Sequence, residues 1–325
     1  MIIDSHIHVF DGSIAGAEEN FPLWPGKEWG GSGEDSLRQM DEAGIEKAFL
    51  ISYTPVDVGP HYAPERRDHM MRVFQHYLRK DYFIEVRERN PDRFLWFADS
   101  IDPRVPGYVA RAAQDLDRGA TGLKILPLFV DTEMGDPRWR PVFDLLRERD
   151  CPCIIDLSWW YADQPWFAPS VYGKYASFTE YVKGFARLIE DYPEVRIQLA
   201  HYGTPRLIDR GNVSGTLTSG TVHYDRLGEV IDFMKAFRGL RCDLSAYQLL
   251  ITPDDPYPYS RALKVLEVLV DGLGTERIHW GTDWPYLRLH SYVELISAIR
   301  EAPFLHEEQV DQILGLNAQR FLEGK

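Results

Sequence analysis

Short apolar runs alternate with longer amphipathic stretches along the whole chain. Eight of the apolar runs are rich in β-branched and aromatic residues, which favours strands over helices. They cover Ile2–Val9, Lys47–Ser52, Phe94–Asp99, Gly122–Leu126, Cys153–Ser158, Arg196–His201, Leu240–Ser245 and Arg277–Gly281. Their spacing of roughly 30–50 residues is typical of repeated βα units, in which a helix follows each strand.

Stretches with helical periodicity lie between these runs, and several end at a glycine, as helices commonly do. The predicted helices cover Asp35–Ala43, Tyr108–Arg118, Arg138–Arg149, Phe178–Asp191, Leu227–Phe237 and Arg261–Leu273. Eight strands that alternate with helices predict an α/β fold, a closed (β/α)8 TIM barrel, as one domain over residues 1–325. An open, doubly wound sheet is less favoured because no strand is followed by the G-x-G-x-x-G pattern.

The chain is longer than the ~250 residues of an ordinary barrel, and the surplus lies in four predicted insertions. Three are rich in Gly, Pro, Ser and aromatic residues, and a fourth is helical. They cover Tyr161–Ser177, Gly203–Arg226, Gln248–Ser260 and, for the helical one, His61–Asn90. Each follows the carboxyl end of a predicted strand, where barrels carry their active sites, so we expect these loops to surround the functional site.

The composition disfavours a protein that binds nucleic acid or membranes or that is stabilised by disulfides. Lys and Arg number 36 against 50 Asp and Glu, a net charge of −14, which disfavours binding to nucleic acid or to an anionic membrane. No stretch approaches ~18 consecutive apolar residues. The opening Met-Ile-Ile-Asp-Ser-His does not resemble a signal peptide, and three cysteines provide no disulfide framework. We therefore expect a cytoplasmic protein with a small-molecule partner.

Ionisable residues end several of the predicted strands. His6 and His8 lie two residues apart, so their imidazoles face the same side of the first strand. The other strand-end residues are Lys124, Asp156, His201, Asp243 and Asp283. Burying so many ionisable groups is costly unless they pair or bind a metal, and a barrel brings strand ends together. The pattern favours an active site over a structural hydrogen-bond network.

Three sequence motifs at barrel spacing resemble the amidohydrolase superfamily. They are His6-Ile-His8, His201-Tyr-Gly and Gly281-Thr-Asp-Trp-Pro285. The closer resemblance is to the amidohydrolase-2 group, which includes the aminocarboxymuconate-semialdehyde decarboxylase relatives. Gly122-Leu-Lys-Ile, Cys242-Asp-Leu-Ser and the terminal Asn317-Ala-Gln-Arg-Phe-Leu also match that group, so the resemblance extends from Asp4 to Leu322.

The resemblance implies a distorted barrel that binds one divalent metal, usually zinc. His6, His8 and Asp283 would be ligands, Asp283 would also shuttle a proton, and His201 would polarise the substrate or orient the attacking water. Asp156 stands where the family often has a ligand histidine. Asp156 is a candidate fourth ligand, and carboxylates also suit manganese, so Mn²⁺ is an alternative to zinc. The resemblance also includes relatives that work without a metal, so a metal-independent mechanism is a further alternative. The resemblance also implies a homodimer.

The remaining candidates are substrate-binding residues. Lys124 matches a position that is carboxylated in dinuclear members, but we favour a free lysine that binds a substrate carboxylate. Trp159, Tyr202, Arg206 and Trp284 follow predicted strands and would line the pocket, although packing is an equal alternative for each aromatic residue.

These features predict a metal-dependent hydrolase for a small carboxylated or cyclic carbonyl substrate: a lactone, ester or amide. A non-oxidative decarboxylase and a non-catalytic, ligand-binding barrel are the alternatives.

Overall fold

The structure is a computed structural model that describes most of the chain. The described residues are 1–11, 31–52, 80–99, 101–127, 130, 132–157, 175, 177–203, 207, 222–245, 247–251, 255–285 and 290–325.

Eight parallel strands form a single sheet in which each strand pairs with the next along the chain. They are β1 (Ile3–Ile7), β2 (Lys47–Ile51), β3 (Phe94–Ala98), β4 (Gly122–Ile125), β5 (Cys153–Ile155), β6 (Ile197–Leu199), β7 (Leu240–Asp243) and β8 (Ile278–His279). A parallel bridge between Ile7 and Trp284 brings the last strand back to the first. The fold is therefore a nearly closed (β/α)8 barrel, which confirms the predicted class, and each strand lies within its predicted run.

The helices pack around this sheet. They are α1 (Gly33–Ala43), α2 (Lys80–Arg89), α3 (Tyr108–Asp117), α4 (Arg140–Glu148), α5 (Phe178–Tyr181), α6 (Lys183–Asp191), α7 (Leu227–Ala236), α8 (Ser260–Leu273), α9 (Tyr292–Arg300), α10 (Glu307–Asp311) and α11 (Asn317–Glu323). A π-helical segment, Gln312–Leu316, joins α10 to α11. The predicted helix Phe178–Asp191 is divided into α5 and α6, and the predicted helix Arg138–Arg149 begins in a 3₁₀ turn, Pro137–Trp139, that precedes α4. The other four predicted helices each correspond to one helix, and residues 61–79 of the predicted helical insertion lie outside the described residues.

Local sequence accounts for the ends of α1. Ser32 accepts a hydrogen bond from the backbone N–H of Asp35, and the Asp35 side chain bonds back to the Ser32 backbone N–H, which is a capping box. Gly44 ends the helix with φ of 70°, a conformation that glycine adopts without a steric penalty.

The amino-terminal end of the barrel is closed by apolar side chains. Strand residues Ile3, Phe49, Phe97 and Ile154 form one buried cluster with Phe321 of α11. Helix α11 therefore covers the floor of the barrel, and the ionisable strand ends lie at the opposite end. Among the described helices, none has the length and apolar character that a bilayer-spanning segment needs.

Candidate metal and acid–base site

The strand pairing of β1 is irregular next to the site. The pairing between β1 and β2 is irregular between Asp4 and Ile7. The buried Asp4 carboxylate accepts hydrogen bonds from the backbone N–H groups of His6, at 3.0 Å, and Thr282, at 3.1 Å. The Thr282 hydroxyl donates to the same carboxylate at 2.6 Å. Asp4 thus joins the bulged part of β1 to the segment after β8.

His8 is held by its Nδ1 atom. This nitrogen lies 2.8 Å from the backbone carbonyl oxygen of Ile51. A carbonyl oxygen can only accept, so Nδ1 carries the hydrogen and Nε2 keeps its lone pair. Nε2 lies 3.2 Å from Oδ1 of Asp283.

His6 has the same arrangement across the barrel. Its Nδ1 lies 3.0 Å from Oδ2 of Asp243 on β7, and its Nε2 lies 3.8 Å from Oδ1 of Asp283. Asp243 accepts from Nδ1, which leaves Nε2 as an acceptor. Two imidazole lone pairs and one carboxylate oxygen therefore converge at the carboxyl end of the barrel.

This convergence fits a divalent metal. The donor atoms of His6, His8 and Asp283 lie within 4.8 Å of one another. Burial lowers the pKa of His6 to about 3 and also lowers that of His8, so both rings are neutral, the form that binds metal. A set of two imidazole nitrogens and one carboxylate suits zinc with an open position. Hydrogen-bonded Nδ1 atoms are the usual outer contacts of histidine ligands.

Asp283 is ionised in this environment. Burial alone would raise its pKa, but the close contact with His8 Nε2 and the nearby imidazoles of His201 and His6 hold the pKa below its ordinary value. Its side chain is 14% exposed, whereas those of His6 and His8 are 1% and 0% exposed, so Asp283 is the member of this group that solvent reaches.

Asp243 is a buried hydrogen-bond acceptor for several neighbours. It accepts from Gln198 Nε2 at 2.6 Å, from the His201 backbone N–H at 2.9 Å and from the Ser245 backbone N–H at 3.1 Å, besides the His6 ring. Burial raises its pKa, but the interaction with the His6 ring through its Nδ1–H and the hydrogen bond from the Ser245 side chain more than offset that effect and hold the pKa well below its usual range. Asp243 therefore fixes the orientation of His6.

The backbone at the strand ends adopts left-handed conformations that are unusual for residues other than glycine. His201, Tyr202 and Asp283 have φ values of 53°, 46° and 60°. Each such conformation costs roughly 1–3 kcal/mol, and these conformations cluster at functional sites. Backbone hydrogen bonds hold two of them in place, from Asp283 N–H to the carbonyl of His6 and from His201 N–H to Asp243.

Lys124 and Asp156 complete the group of strand-end side chains. Lys124 Nζ lies 3.3 Å from His6 Nε2 and is almost wholly buried. Burial lowers its pKa, while the charges of Asp156 and Asp243 act in the opposite direction. Asp156 Oδ2 lies 3.7 Å from His201 Nε2. Among the described residues, two sets of donor atoms lie within 4.8 Å of one another, His6 with His8 and Asp283, and His6 with His201 and Asp243. Neither set includes Asp156, so its role as a ligand stays a prediction.

The predicted aromatic wall is only partly described. Trp284 is 1% exposed and packs edge to face against Tyr292, and Tyr202 is 6% exposed, so both lie in the apolar core. Their contact with substrate stays a prediction. Trp159 and Arg206 lie outside the described residues.

Sequence reasoning did not single out Ser245, Gln198 or Asp4 as members of the site. Ser245 lies within the quoted Cys242-Asp-Leu-Ser motif, two residues after Asp243, and that spacing was the available signal. Gln198 offered none, because a single polar residue within β6 has no spacing partner.

Comparison with known proteins extends over the whole barrel. The family model for amidohydrolases (Amidohydro_2) matches residues 3–324. The search of curated proteins gave no match.

Solved structures from several bacteria share the fold. A protein described as a probable 2-pyrone-4,6-dicarboxylic acid hydrolase from Acinetobacter baumannii, with citric acid bound, is 12% identical with a TM-score of 0.64, covering 99% of each chain. An amidohydrolase from Burkholderia multivorans with bound zinc is 17% identical with a TM-score of 0.61, covering 99% of each chain. A 5-carboxyvanillate decarboxylase from Sphingomonas paucimobilis is 17% identical with a TM-score of 0.59, covering 99% of this chain and 98% of its own.

At these identities the structural likeness establishes the fold alone. The family match over residues 3–324 extends to nearly every residue, including the strand ends that carry the histidines and aspartates described above. The chain belongs to the amidohydrolase family.

Proposed function

We propose that this protein is a metal-dependent hydrolase of a small carboxylated or cyclic carbonyl substrate, such as a lactone, ester or amide. The observation that carries the proposal is the convergence of donor atoms of His6, His8 and Asp283 within 4.8 Å of one another, in which Asp283 Oδ1 lies 3.8 Å from His6 Nε2 and 3.2 Å from His8 Nε2. Zinc is the proposed metal, because it favours two nitrogens and one carboxylate and occurs in the Burkholderia structure. When bound, such a metal acidifies water and polarises a carbonyl group.

Asp283 acts as the general base and then the general acid. Its ionised carboxylate accepts a proton from the attacking water and returns it to the leaving group. Its pKa, held below the ordinary value, keeps it in the accepting form before the reaction.

His201 and Lys124 act on the reactants. The His201 side chain is 12% exposed beside Asp156 and would orient the water or polarise the carbonyl oxygen. Lys124, buried beside His6, would bind a substrate carboxylate by a charge-assisted hydrogen bond.

A decarboxylase is the second candidate. The Sphingomonas decarboxylase has the same fold over 99% of this chain, and a decarboxylase would use the same acid group to protonate the carbon that loses carbon dioxide. In that reaction His201 or Asp283 would first take up a proton from solvent and then donate it to that carbon.

The test is turnover of a panel of lactones and aromatic carboxylic acids by the zinc-loaded protein. Ring opening without gas release supports the hydrolase, and release of carbon dioxide supports the decarboxylase. Asp283→Asn should lower kcat by about 10²–10⁴-fold. Asp232→Asn, on the exposed face of α7, is the matched control and should keep full activity. Tight binding of panel compounds without any turnover would contradict both reactions and support a ligand-binding barrel.

A further inference from the structure

Ser245 contacts both of the stacked imidazoles of the site, His6 and His201. It follows β7 by two residues and is fully buried. Its Oγ is 3.0 Å from His6 Nδ1 and 2.8 Å from His201 Nδ1, and it donates a hydrogen bond to Asp243 Oδ1. The chemistry proposed so far makes no use of this hydroxyl.

The number of available hydrogens fixes the direction of these contacts. A serine hydroxyl carries one hydrogen, and an ionised carboxylate can only accept. The Ser245 hydrogen therefore lies between Oγ and Asp243. Only lone pairs remain on Oγ for His201, so the hydrogen of that contact belongs to His201 Nδ1. A neutral His201 ring then presents Nε2 as an acceptor.

The same carboxylate also holds the backbone of His201. The His201 N–H donates to Asp243 Oδ1 at 2.9 Å, which helps to hold the residue at its φ of 53°. The His201 ring stacks on His6 with centroids 4.7 Å apart. Asp243 thus fixes the main chain of His201 directly and its ring through Ser245.

We propose that Ser245 is a positioning residue that fixes the Nδ1–H tautomer of His201 and so directs an acceptor Nε2 towards Asp156. Nε2 and Asp156 Oδ2 lie 3.7 Å apart and both accept. The attacking water can donate one of its hydrogens to this pair, at His201 Nε2, and keeps the other for Asp283, the general base. This inference rests on the proposed function and selects one of the two roles of His201: it orients water, because polarising a carbonyl oxygen would need a hydrogen on Nε2.

The tautomer can be read directly, without any substrate. Long-range ¹H–¹⁵N correlations of the histidine rings in zinc-loaded protein separate Nδ1–H from Nε2–H, and His201→Gln assigns the His201 signals. We expect the wild-type ring to carry its hydrogen on Nδ1 alone. A hydrogen on Nε2, alone or together with Nδ1, would overturn the proposal whether or not the protein hydrolyses any compound.

Variants of Ser245 test whether this residue determines the tautomer of His201. Ser245→Ala should convert His201 to the Nε2–H tautomer or a mixture, whereas Ser245→Thr, which keeps the hydroxyl, should retain the wild-type signals. Ser245→Cys gives a second reading if the alanine variant does not fold, because a thiol is a weak acceptor. Ser36→Ala removes a buried hydroxyl of α1 and is the matched control. An unchanged His201 tautomer in folded Ser245→Ala would overturn the proposal.

Kinetics supply a readout that a purely structural role would not give. With whichever panel compound is turned over, Ser245→Ala should lower kcat on the order of 10–100-fold, as loss of outer-shell contacts does, with KM and zinc content retained. Equal kcat values for Ser245→Ala and Ser36→Ala would contradict the positioning role. Absence of turnover in the wild type would contradict the proposed function and leave the tautomer result to decide this inference.

Discussion

At the scale of residues, the two nitrogens of His6 have different partners. Nδ1 donates to Asp243, and Nε2 faces Asp283 and Lys124. A carboxylate on the outer nitrogen orients an imidazole and increases its basicity, which suits the proposed role of His6 as a metal ligand. Because Asp243 also accepts from Gln198 and from the backbone of His201, one buried carboxylate positions both imidazoles.

Replacing this carboxylate should weaken metal binding without removing a ligand. In Asp243→Asn the amide cannot accept from every donor that the carboxylate now satisfies, so His6 loses its fixed orientation. We expect zinc affinity to fall on the order of 10–100-fold, measured by competition with a chromogenic chelator. Asp232→Asn is the control at an exposed site. Equal zinc affinities of Asp243→Asn and the wild type would contradict this role.

The sequence predicted that the ionisable residues of the site lie at the ends of strands, but it did not predict which side chains and backbone groups they contact. Apolar runs with ionisable ends located His6, His8, His201 and Asp283, because the carboxyl ends of parallel strands meet. The bulge between Asp4 and Ile7 and the left-handed backbone of His201 depend on contacts between β1, β7 and the segment after β8. Such contacts bring together residues that are far apart in the chain, so the local pattern of apolar and polar residues cannot predict them.

At the scale of elements, β6, β7 and β8 are linked by a line of polar side chains inside the barrel. His279 Nδ1 donates to Gln198 Oε1 at 2.7 Å, and Gln198 Nε2 donates to Asp243 Oδ2 at 2.6 Å and to the Ser5 carbonyl at 3.2 Å. His279 is fully buried, and its ring also packs edge to face against Phe321 of α11. This line connects the floor of the barrel to the site.

His279 should make the barrel less stable in acid. Burial lowers its pKa from an ordinary 6.5 to about 3, so between these values the unfolded ring binds a proton and the folded ring does not. The free energy of unfolding should therefore fall as pH falls below 6.5, by up to ~1.4 kcal/mol per pH unit from this group. His279→Asn should remove that part of the slope.

Urea unfolding at pH 6.5 and pH 5, with a chelator in every sample, measures the effect. His306→Asn, which removes an exposed histidine at the start of α10, is the control. The same pH slope in His279→Asn and in the wild type would show that His279 does not contribute.

At the scale of the whole molecule, the two ends of the barrel differ in composition: one is apolar, and the other carries the ionisable groups. Helix α11 fills the amino-terminal end with Phe321, and the carboxyl end carries the ionisable groups. The alternation of runs predicted this architecture because a barrel repeats one local unit eight times. The predicted insertions Tyr161–Ser177 and Gly203–Arg226 lie largely outside the described residues.

Truncating Phe321 should lower the free energy of unfolding without affecting zinc binding. Phe321→Ala leaves a cavity at the floor and should lower the free energy of unfolding by about 3–5 kcal/mol, measured by urea unfolding. Zinc stoichiometry at low temperature should be retained, because the proposed ligands His6, His8 and Asp283 lie at the other end of the barrel. Leu322→Ala, at a partly buried neighbour on the same helix, should cost less. Loss of zinc from folded Phe321→Ala would contradict this separation.

The metal content of the purified protein, measured by elemental mass spectrometry, tests whether His6, His8 and Asp283 bind a metal ion. The wild type, Asp232→Asn and His8→Ala would be purified alike, dialysed against zinc and freed of loosely bound ions. Convergence of His6, His8 and Asp283 predicts about one tightly bound zinc per chain in the first two proteins and its loss from His8→Ala. A folded wild type that stays free of zinc and of manganese after loading would contradict the metal site and would favour a metal-independent acid–base mechanism.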